Sequence, residues 1–235
     1  MIARKGNKIY KYDGKIVEFG LFSEFREDLF HYYKCSEDGN QYDYSGNGNT
    51  GILADNPTFV PEDGVVEGCF NFENTTKNRI QVNDDFSTLY NQDTWSFSSW
   101  INPFAITGNA YRALFRSADI SGSPNGMGVY IRASVIIGYD GANVVLGNYT
   151  PIVDEWQHVV VTFNNPTWKL YINGQLFSTA TKSRATTVIK NRYGNDGSNF
   201  SFGKMDEIMF WGRELNDEQI LKLYENTTGI HRYFR

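Results

Sequence analysis

The stretch from Trp156 to Ser178 confines the fold of this chain more than any other. Trp156–Phe163 reads WQHVVVTF and Trp168–Ile172 reads WKLYI, two β-prone runs separated by Asn164-Asn165-Pro166. Asn173-Gly174 follows, and the chain returns through Gln175–Ser178. Successive strand residues point to opposite faces, so one set in WQHVVVTF is directed inward and the other outward. Asn-Gly takes the positive φ angles of a two-residue type I′ turn without strain. This is an antiparallel meander.

The same punctuation runs through the rest of the chain. Brief strands are expected at Gly68–Phe72 and Arg79–Val82, then at Trp95–Ile101, Tyr111–Arg116, Met127–Ile137, Val144–Leu146 and Ser201–Trp211. A long polar loop is expected between Asp38 and Pro61, and residues 21–33 fit helix and strand equally well. Near the C-terminus the period changes. Asn216 can cap a helix, Gln219 can reach back to its N–H, and Ile220, Leu221, Leu223 and Tyr224 form an apolar stripe that Gly229 would end. No helical crossovers separate the strands, which excludes a parallel α/β fold. The expectation is all-β, a sandwich of two antiparallel sheets with one short C-terminal helix. Lys8–Tyr12 and Lys15–Phe19, joined by Asp13-Gly14, read as a separate hairpin arm over residues 1–20, with one domain over 21–235.

Composition narrows the function. Aromatic residues make up 16% of the chain and suit pleated, half-buried surfaces. A net charge of −5 argues against nucleic acid as the main partner. No apolar stretch is long enough to span a bilayer, so no membrane insertion is expected. The basic opening residues lack the apolar core of a secretory signal. Two cysteines, Cys35 and Cys69, make no disulfide framework, and two half-buried thiols are favoured over a single bridge. Three histidines without metal-type spacing argue against zinc.

Four segments in order carry a resemblance. Asp43-Tyr44-Ser45-Gly46-Asn47-Gly48-Asn49-Thr50-Gly51 is similar to a D-x-SGNGN-x-G loop, and Trp95–Ile101 to an aromatic strand. Trp156–Phe163 with Lys169–Gly174 resembles a W-x-H-V-A-x-T hairpin. Gly203–Ile208 with Trp211–Ile220 resembles the closing G-x-[IL]-D-[ED]-[IV] element and its helix. Together they resemble the concanavalin A-like jelly roll of laminin-G-like and pentraxin-like domains, over roughly residues 28–226.

That resemblance implies one structural Ca²⁺ as a candidate cofactor. Calcium takes six to eight oxygen ligands, often from irregular loops. Asp43, Asn49 (with Asn47 beside it) and Asp206 are the candidates. The plainer alternative gives Asn and Gly to turns, and the Asp206 carboxylate to backbone N–H groups. The resemblance also implies a glycan partner. Sugar rings stack on aromatic side chains while polar groups bond their hydroxyls, and Tyr111, Tyr130, Arg132, Tyr139 and Tyr193 are the candidates; Trp95, Trp100, Trp156 and Trp168 fit the core better.

Catalysis has little support in the sequence. A retaining glycosidase needs two carboxyl groups about 5–5.5 Å apart. The E-x-D-x-x-E run of related glucanases is missing, and Asp206-Glu207, being adjacent, should point to opposite faces. The expected function is a non-enzymatic carbohydrate-binding module. The expected setting is a phage or virus virion surface, with the hairpin arm docking on other virion proteins and homo-oligomers allowed. A purely structural virion protein is the alternative, and a β-glucan hydrolase ranks below both.

Overall fold

The computed structural model describes residues 9–12, 15–18, 23–35, 41–72, 78–82, 93–104, 111–117, 127–132, 135–140, 143–184, 191–194 and 203–233. Among the described residues, strands β1 (Ile9–Tyr12) and β2 (Lys15–Glu18) pair only with each other. The Asp13-Gly14 turn between them lies outside the described residues. Residues 23–33 hold both helix and strand: one turn, α1 (Ser23–Arg26), then β3 (Leu29–Tyr33), with Asp28 at φ 54° between them. The stretch expected as polar loop contains β4 (Ile52–Ala54) and β5 (Thr58–Val60).

Next come β6 (Cys69–Phe72), β7 (Arg79–Gln81), β8 (Thr94–Pro103) and β9 (Arg112–Ser117). The run expected as one strand from Met127 is a hairpin, β10 (Met127–Arg132) with β11 (Val135–Asp140), and β12 (Asn143–Val145) adds to it. Then follow β13 (Gln157–Asn164), β14 (Thr167–Ile172), β15 (Gln175–Thr181), β16 (Asn191–Gly194) and β17 (Gly203–Trp211). Asn173 and Gly174 have φ of 50° and 77°, as the two-residue turn between β14 and β15 requires.

These strands form two antiparallel sheets. One runs β12-β11-β10-β9-β16-β7-β4. The other runs β15-β14-β13-β8-β17-β6-β5, with β3 sharing the β17 edge. Both sheets fill the core between them: Trp95, Phe97, Val161, Phe163, Trp168 and Phe210 come from one, and Phe115, Val129, Ile131, Ile136 and Tyr193 from the other. The arrangement is a jelly-roll sandwich. Trp95, Trp100 and Trp168 are buried as expected, while Trp156 is only half-buried and donates its indole N–H to the Asp63 carbonyl.

Helix α2 (Asp217–Tyr233) closes the second sheet's outer face. Its start is the expected capping box, with Gln219 N–H donating to Asn216 Oδ1 at 2.9 Å and Asn216 N–H to Gln219 Oε1 at 3.1 Å. It runs past Gly229, because a helix-interior glycine costs about 1 kcal/mol but keeps its hydrogen bond. Ile220 and Leu223 pack with Val160, Tyr171, Met209 and Trp211 of the sheet, and with Phe25 and Leu29.

Candidate functional site

Among the described residues, neither helix contributes to the side-chain cluster on the outer face of the first sheet. Strand alternation sends Met127, Val129 and Ile131 of β10 into the core and leaves Tyr130 and Arg132 on the outer face. On β11, Ile136 faces in while Val135, Ile137 and Tyr139 face out. A bulge on β9 turns Ala113 outward, where it stands opposite Tyr130, and Tyr111 lies just before that strand.

Four of the five residues expected to meet a glycan therefore gather on one surface. Tyr130 lies edge-to-face with Tyr111 at 5.6 Å and with Tyr139 at 6.0 Å between ring centres. The Arg132 guanidinium sits 4.6 Å from the centre of the Tyr111 ring. Gly128 makes room for this group, since a Cβ there would lie 2.7 Å from the Tyr130 ring. Tyr130 is itself 5% exposed, so it positions its neighbours, whereas Tyr111, Tyr139 and Arg132 are half-buried and reach solvent. Tyr111 also donates its hydroxyl to Asn143 Oδ1 at 3.0 Å.

Tyr193 takes no part. It faces the core with no exposed surface, packed against Tyr33, Phe97 and Phe115, and its hydroxyl lies 2.6 Å from His31 Nδ1. Sequence reasoning missed Arg116 and Asn143 on the outer face. Splitting the Met127 run into two strands would have revealed them, because the hairpin register fixes which neighbours share a face.

The residues considered for calcium are occupied by protein donors. Asp43 Oδ1 accepts from the N–H groups of Tyr32 and Ser45, and Oδ2 from the Ser45 hydroxyl and the Asn49 N–H. Asn47 and Asn49 donate their side-chain amides to the Phe30 carbonyl, and Asn47 also to that of Leu29. This loop is tied to β3 by hydrogen bonds. Asp206 receives the N–H groups of Val65 at 2.7 Å, Val66 at 3.0 Å and Glu207 at 2.8 Å. Donors converging on these carboxylates do the work a cation would do, so the residues do not fit a Ca²⁺ site as arranged. Among the described residues no group of three or more His, Cys, Asp or Glu is gathered to hold a metal.

Asp206 and Glu207 do not point to opposite faces as expected. Met205 and Ile208 both lie in the inter-sheet core although three residues apart, because β17 is bulged there and Glu207 has φ 49°. The two acids therefore share the opposite side. Glu207 accepts the Tyr32 hydroxyl at 2.6 Å. Burial pushes the Glu207 carboxyl up to about 7, and burial with the Glu207 charge raises that of Asp206. Ser98 Oγ lies 2.8 Å from His158 Nε2, but the pair is buried, and burial lowers the imidazole pKa to about 3. Cys35 and Cys69 are buried free thiols, and burial raises the Cys69 thiol to about 12.

A two-sheet antiparallel jelly roll closed by one C-terminal helix is the architecture of the concanavalin A-like fold. The chain belongs to the concanavalin A-like lectin/glucanases superfamily, whose laminin-G-type family model matches residues 74–221. No curated protein sequence matches it. Among solved structures, it is similar to domain 4 of AbnA, a GH43 extracellular arabinanase from Geobacillus stearothermophilus, in complex with arabinotriose. That match has 18% identity and a TM-score of 0.68, covering 84% of this chain and 98% of that one. The botulinum neurotoxin type G receptor binding domain matches at 17% identity and a TM-score of 0.63, over 85% of this chain and 51% of that one. Trypanosoma rangeli sialidase matches at 16% and 0.64, over 86% of this chain and 33% of that one. The chain thus spans about half of the toxin domain and a third of the sialidase, and at these identities the likeness establishes the fold alone.

Proposed function

We propose that this protein is a non-enzymatic carbohydrate-binding module that holds its glycan on the outer face of the first sheet. The observation that carries this reading is the Tyr111–Tyr130–Tyr139 cluster with Arg132, an aromatic platform on a sheet face that neither helix covers. Aromatic rings stack on the C–H faces of sugars, and the Tyr hydroxyls, Asn143 and Arg132 offer hydrogen bonds at the rim. Domain 4 of the arabinanase, solved with arabinotriose, lends this reading support by fold.

The absence of an enzymatic role rests on the acids. Asp206 and Glu207 are each no more than 3% exposed and are engaged by backbone N–H groups and the Tyr32 hydroxyl, out of reach of a polysaccharide. A glycan array followed by calorimetry tests the proposal. Tyr111→Ala and Tyr139→Ala should each weaken binding about tenfold, ~1.4 kcal/mol per lost ring contact. Binding by both variants equal to that of the unaltered protein would refute the face, and reducing ends released from a β-glucan would refute the non-enzymatic reading.

The self-paired ribbon β1–β2 favours a second element of the proposal, an arm docking this module on another protein, for which a virion surface is the expected setting. Loss of incorporation into particles on deleting residues 1–20 would test it.

A further inference from the structure

The exposed apolar side chains of this protein are not scattered. Eight large hydrophobic residues stand exposed among the described residues, and five of them, Val145, Ile152, Val153, Leu176 and Phe177, lie in two stretches. Val145 ends β12, Ile152 and Val153 follow it in the chain, and Leu176 and Phe177 belong to β15. The two stretches meet where an edge of the first sheet approaches an edge of the second. The Phe177 ring lies 5.2 Å from that of Tyr149, and a Cβ on Gly147 would sit 3.0 Å from the Phe177 ring. The Ser178 hydroxyl donates to the Leu146 carbonyl at 2.5 Å, and Gln157 Oε1 accepts from both the Tyr149 hydroxyl and the Ile152 N–H. Together they make one apolar patch, of the kind that marks protein contacts.

β15 adds an open edge to that patch. Of the four strands that end the two sheets, β12, β4 and β5 have three residues each and β15 has seven. Natural edge strands are blunted by shortness, charge or proline, because their free N–H and C=O groups pair with any other edge. Gln175–Thr181 reads QLFSTAT, without a charge or a proline. Its backbone pairs with β14 on one side, and the Ser178 hydroxyl makes the only other hydrogen bond of the strand among the described residues. A bulge at Phe177 lifts that ring out of the alternation and onto Tyr149, so edge and patch are continuous.

An open edge is completed by another open edge, and the long one that ends a sheet of this sandwich is β15 itself. Antiparallel pairing about a two-fold axis is self-complementary, since each copy supplies the same strand and the same patch. Like charges directly opposite each other oppose such pairing, and QLFSTAT sets none across the axis although the chain has a net charge of −5. An axis at Ser178, the middle residue, places Phe177 of the two copies on a diagonal of about 7–8 Å, within reach of aromatic rings.

We infer that the protein forms a dimer in which β15 pairs antiparallel with β15 of a second copy, joining the two second sheets and closing the apolar patch around Phe177. A two-fold axis between antiparallel strands stands perpendicular to their sheet, so both first sheets lie on the same side of the joined one. On the carbohydrate-binding reading, which the dimer itself does not need, two tyrosine faces then meet one polymer together and gain avidity.

The test uses the full chain in sedimentation equilibrium from about 1 to about 200 μM. We expect a mass that rises with concentration to twice that of one chain. Raising NaCl from about 50 to about 300 mM should not weaken association, because salt screens the repulsion between two acidic copies. Leu176→Lys/Phe177→Lys charges exposed positions of the edge and should raise the dimer Kd at least tenfold, with circular dichroism unchanged. Ile52→Lys, exposed on β4 at the far edge of the first sheet, should leave the Kd as it is. An axis at Ser178 sets the two copies of residue 181 six residues apart along the strands. Spin labels on Thr181→Cys should therefore lie about 20 Å apart, or up to about 35 Å with their tethers. Cys35 and Cys69 are buried and stay unlabelled. A single-chain mass over the whole range would overturn the inference. So would a dimer that is untouched by the β15 variant, lost with Ile52→Lys, weakened by salt, or labelled at a greater separation.

Discussion

His158 gives the protein an acid-sensitive point that can be isolated by one substitution. Its ring is 1% exposed beneath α2, 5.1 Å from Trp100 and 6.1 Å from Tyr224, with Nε2 2.8 Å from the Ser98 hydroxyl and no hydrogen-bond partner for Nδ1 among the described residues. Burial lowers its pKa from 6.5 to about 3. Between those values the unfolded chain binds a proton that the folded chain refuses, so stability falls as the pH falls through that window. From pH 7 to pH 5 this amounts to about 2 kcal/mol, at ~1.4 kcal/mol per unit below 6.5. His31, also buried, is lowered to about 3 and acts in the same direction. Glu207, raised from 4.5 to about 7 by burial, acts oppositely, because the folded state binds its proton first as the pH falls. Glu207 thus offsets about one of the two imidazole contributions between pH 7 and pH 5. His158→Gln keeps a partner for Ser98 and removes one titration. Urea unfolding of both proteins at pH 7 and pH 5 should show the variant gaining about 2 kcal/mol relative to the unaltered protein on acidification, roughly 4–8 °C in melting temperature. Whatever packing the substitution costs at pH 7 cancels in that difference. Parallel loss of stability in the two proteins would refute a neutral, buried His158.

Three further outcomes concern the loops. Asp43→Ala removes the acceptor of four hydrogen bonds, one from Tyr32 of β3 and three from Ser45 and Asn49 within the 43–51 loop, and should lower stability by about 2–4 kcal/mol in urea. The unaltered protein should melt at the same temperature with calcium and with EDTA; a rise of several degrees with calcium would reverse the reading of Asp43, Asn49 and Asp206 as hydrogen-bonded residues. Gly174→Ala should cost more than Gly46→Ala by calorimetric melting. Both have positive φ, 77° and 93°, and so share a strain of ~1 kcal/mol, but a Cβ at Gly174 would also sit 3.0 Å from Tyr224 of α2 while one at Gly46 meets nothing within 4 Å.

Much of the sandwich was legible because its signals are local. Asn173-Gly174 carries the turn in its own φ preferences, and the Asn216–Gln219 capping box lies within one helical turn. The short strands β4, β5 and β16 were missed for the opposite reason. Each is three or four residues long and is defined by a distant partner, as when Leu53 aligns with Ile80 and Tyr193 with Phe115. The face assignments failed where a bulge intervened. At Asp206-Glu207 one extra residue cancels the alternation, and nothing in the sequence marks it, since glutamate is an uncommon residue at φ 49°. Tyr193 was misplaced because a four-residue strand has too little alternation to reveal its inward face. The tyrosine platform was legible residue by residue, but its assembly on one surface was not, because that depends on the register of β9, β10 and β11.

The two outer faces of the sandwich differ in which of them the described helices cover. A sheet buried on one side still presents alternate residues on the other, and the chemistry of those residues decides whether the face must be covered. On the second sheet they include Val160, Tyr171, Met209 and Trp211, an apolar set that water would penalise if left exposed, and α2 with α1 covers it. Covering it also encloses His158, while the backbone of Val65 and Val66 and the Tyr32 ring enclose Asp206 and Glu207, so these groups lose their contact with solvent. On the first sheet the outward set is Tyr111, Tyr139, Arg116, Arg132 and Asn143, amphipathic side chains with an apolar body and a polar or charged tip. Such a surface is soluble without a covering helix, and its rings lose little conformational entropy when a ligand settles on them, because Tyr130 and Gly128 already hold Tyr111 and Tyr139 in place. On the proposed reading, binding and stability fall to opposite sheets, so truncating Tyr111 or Tyr139 should weaken recognition while leaving the core and the covering helix intact.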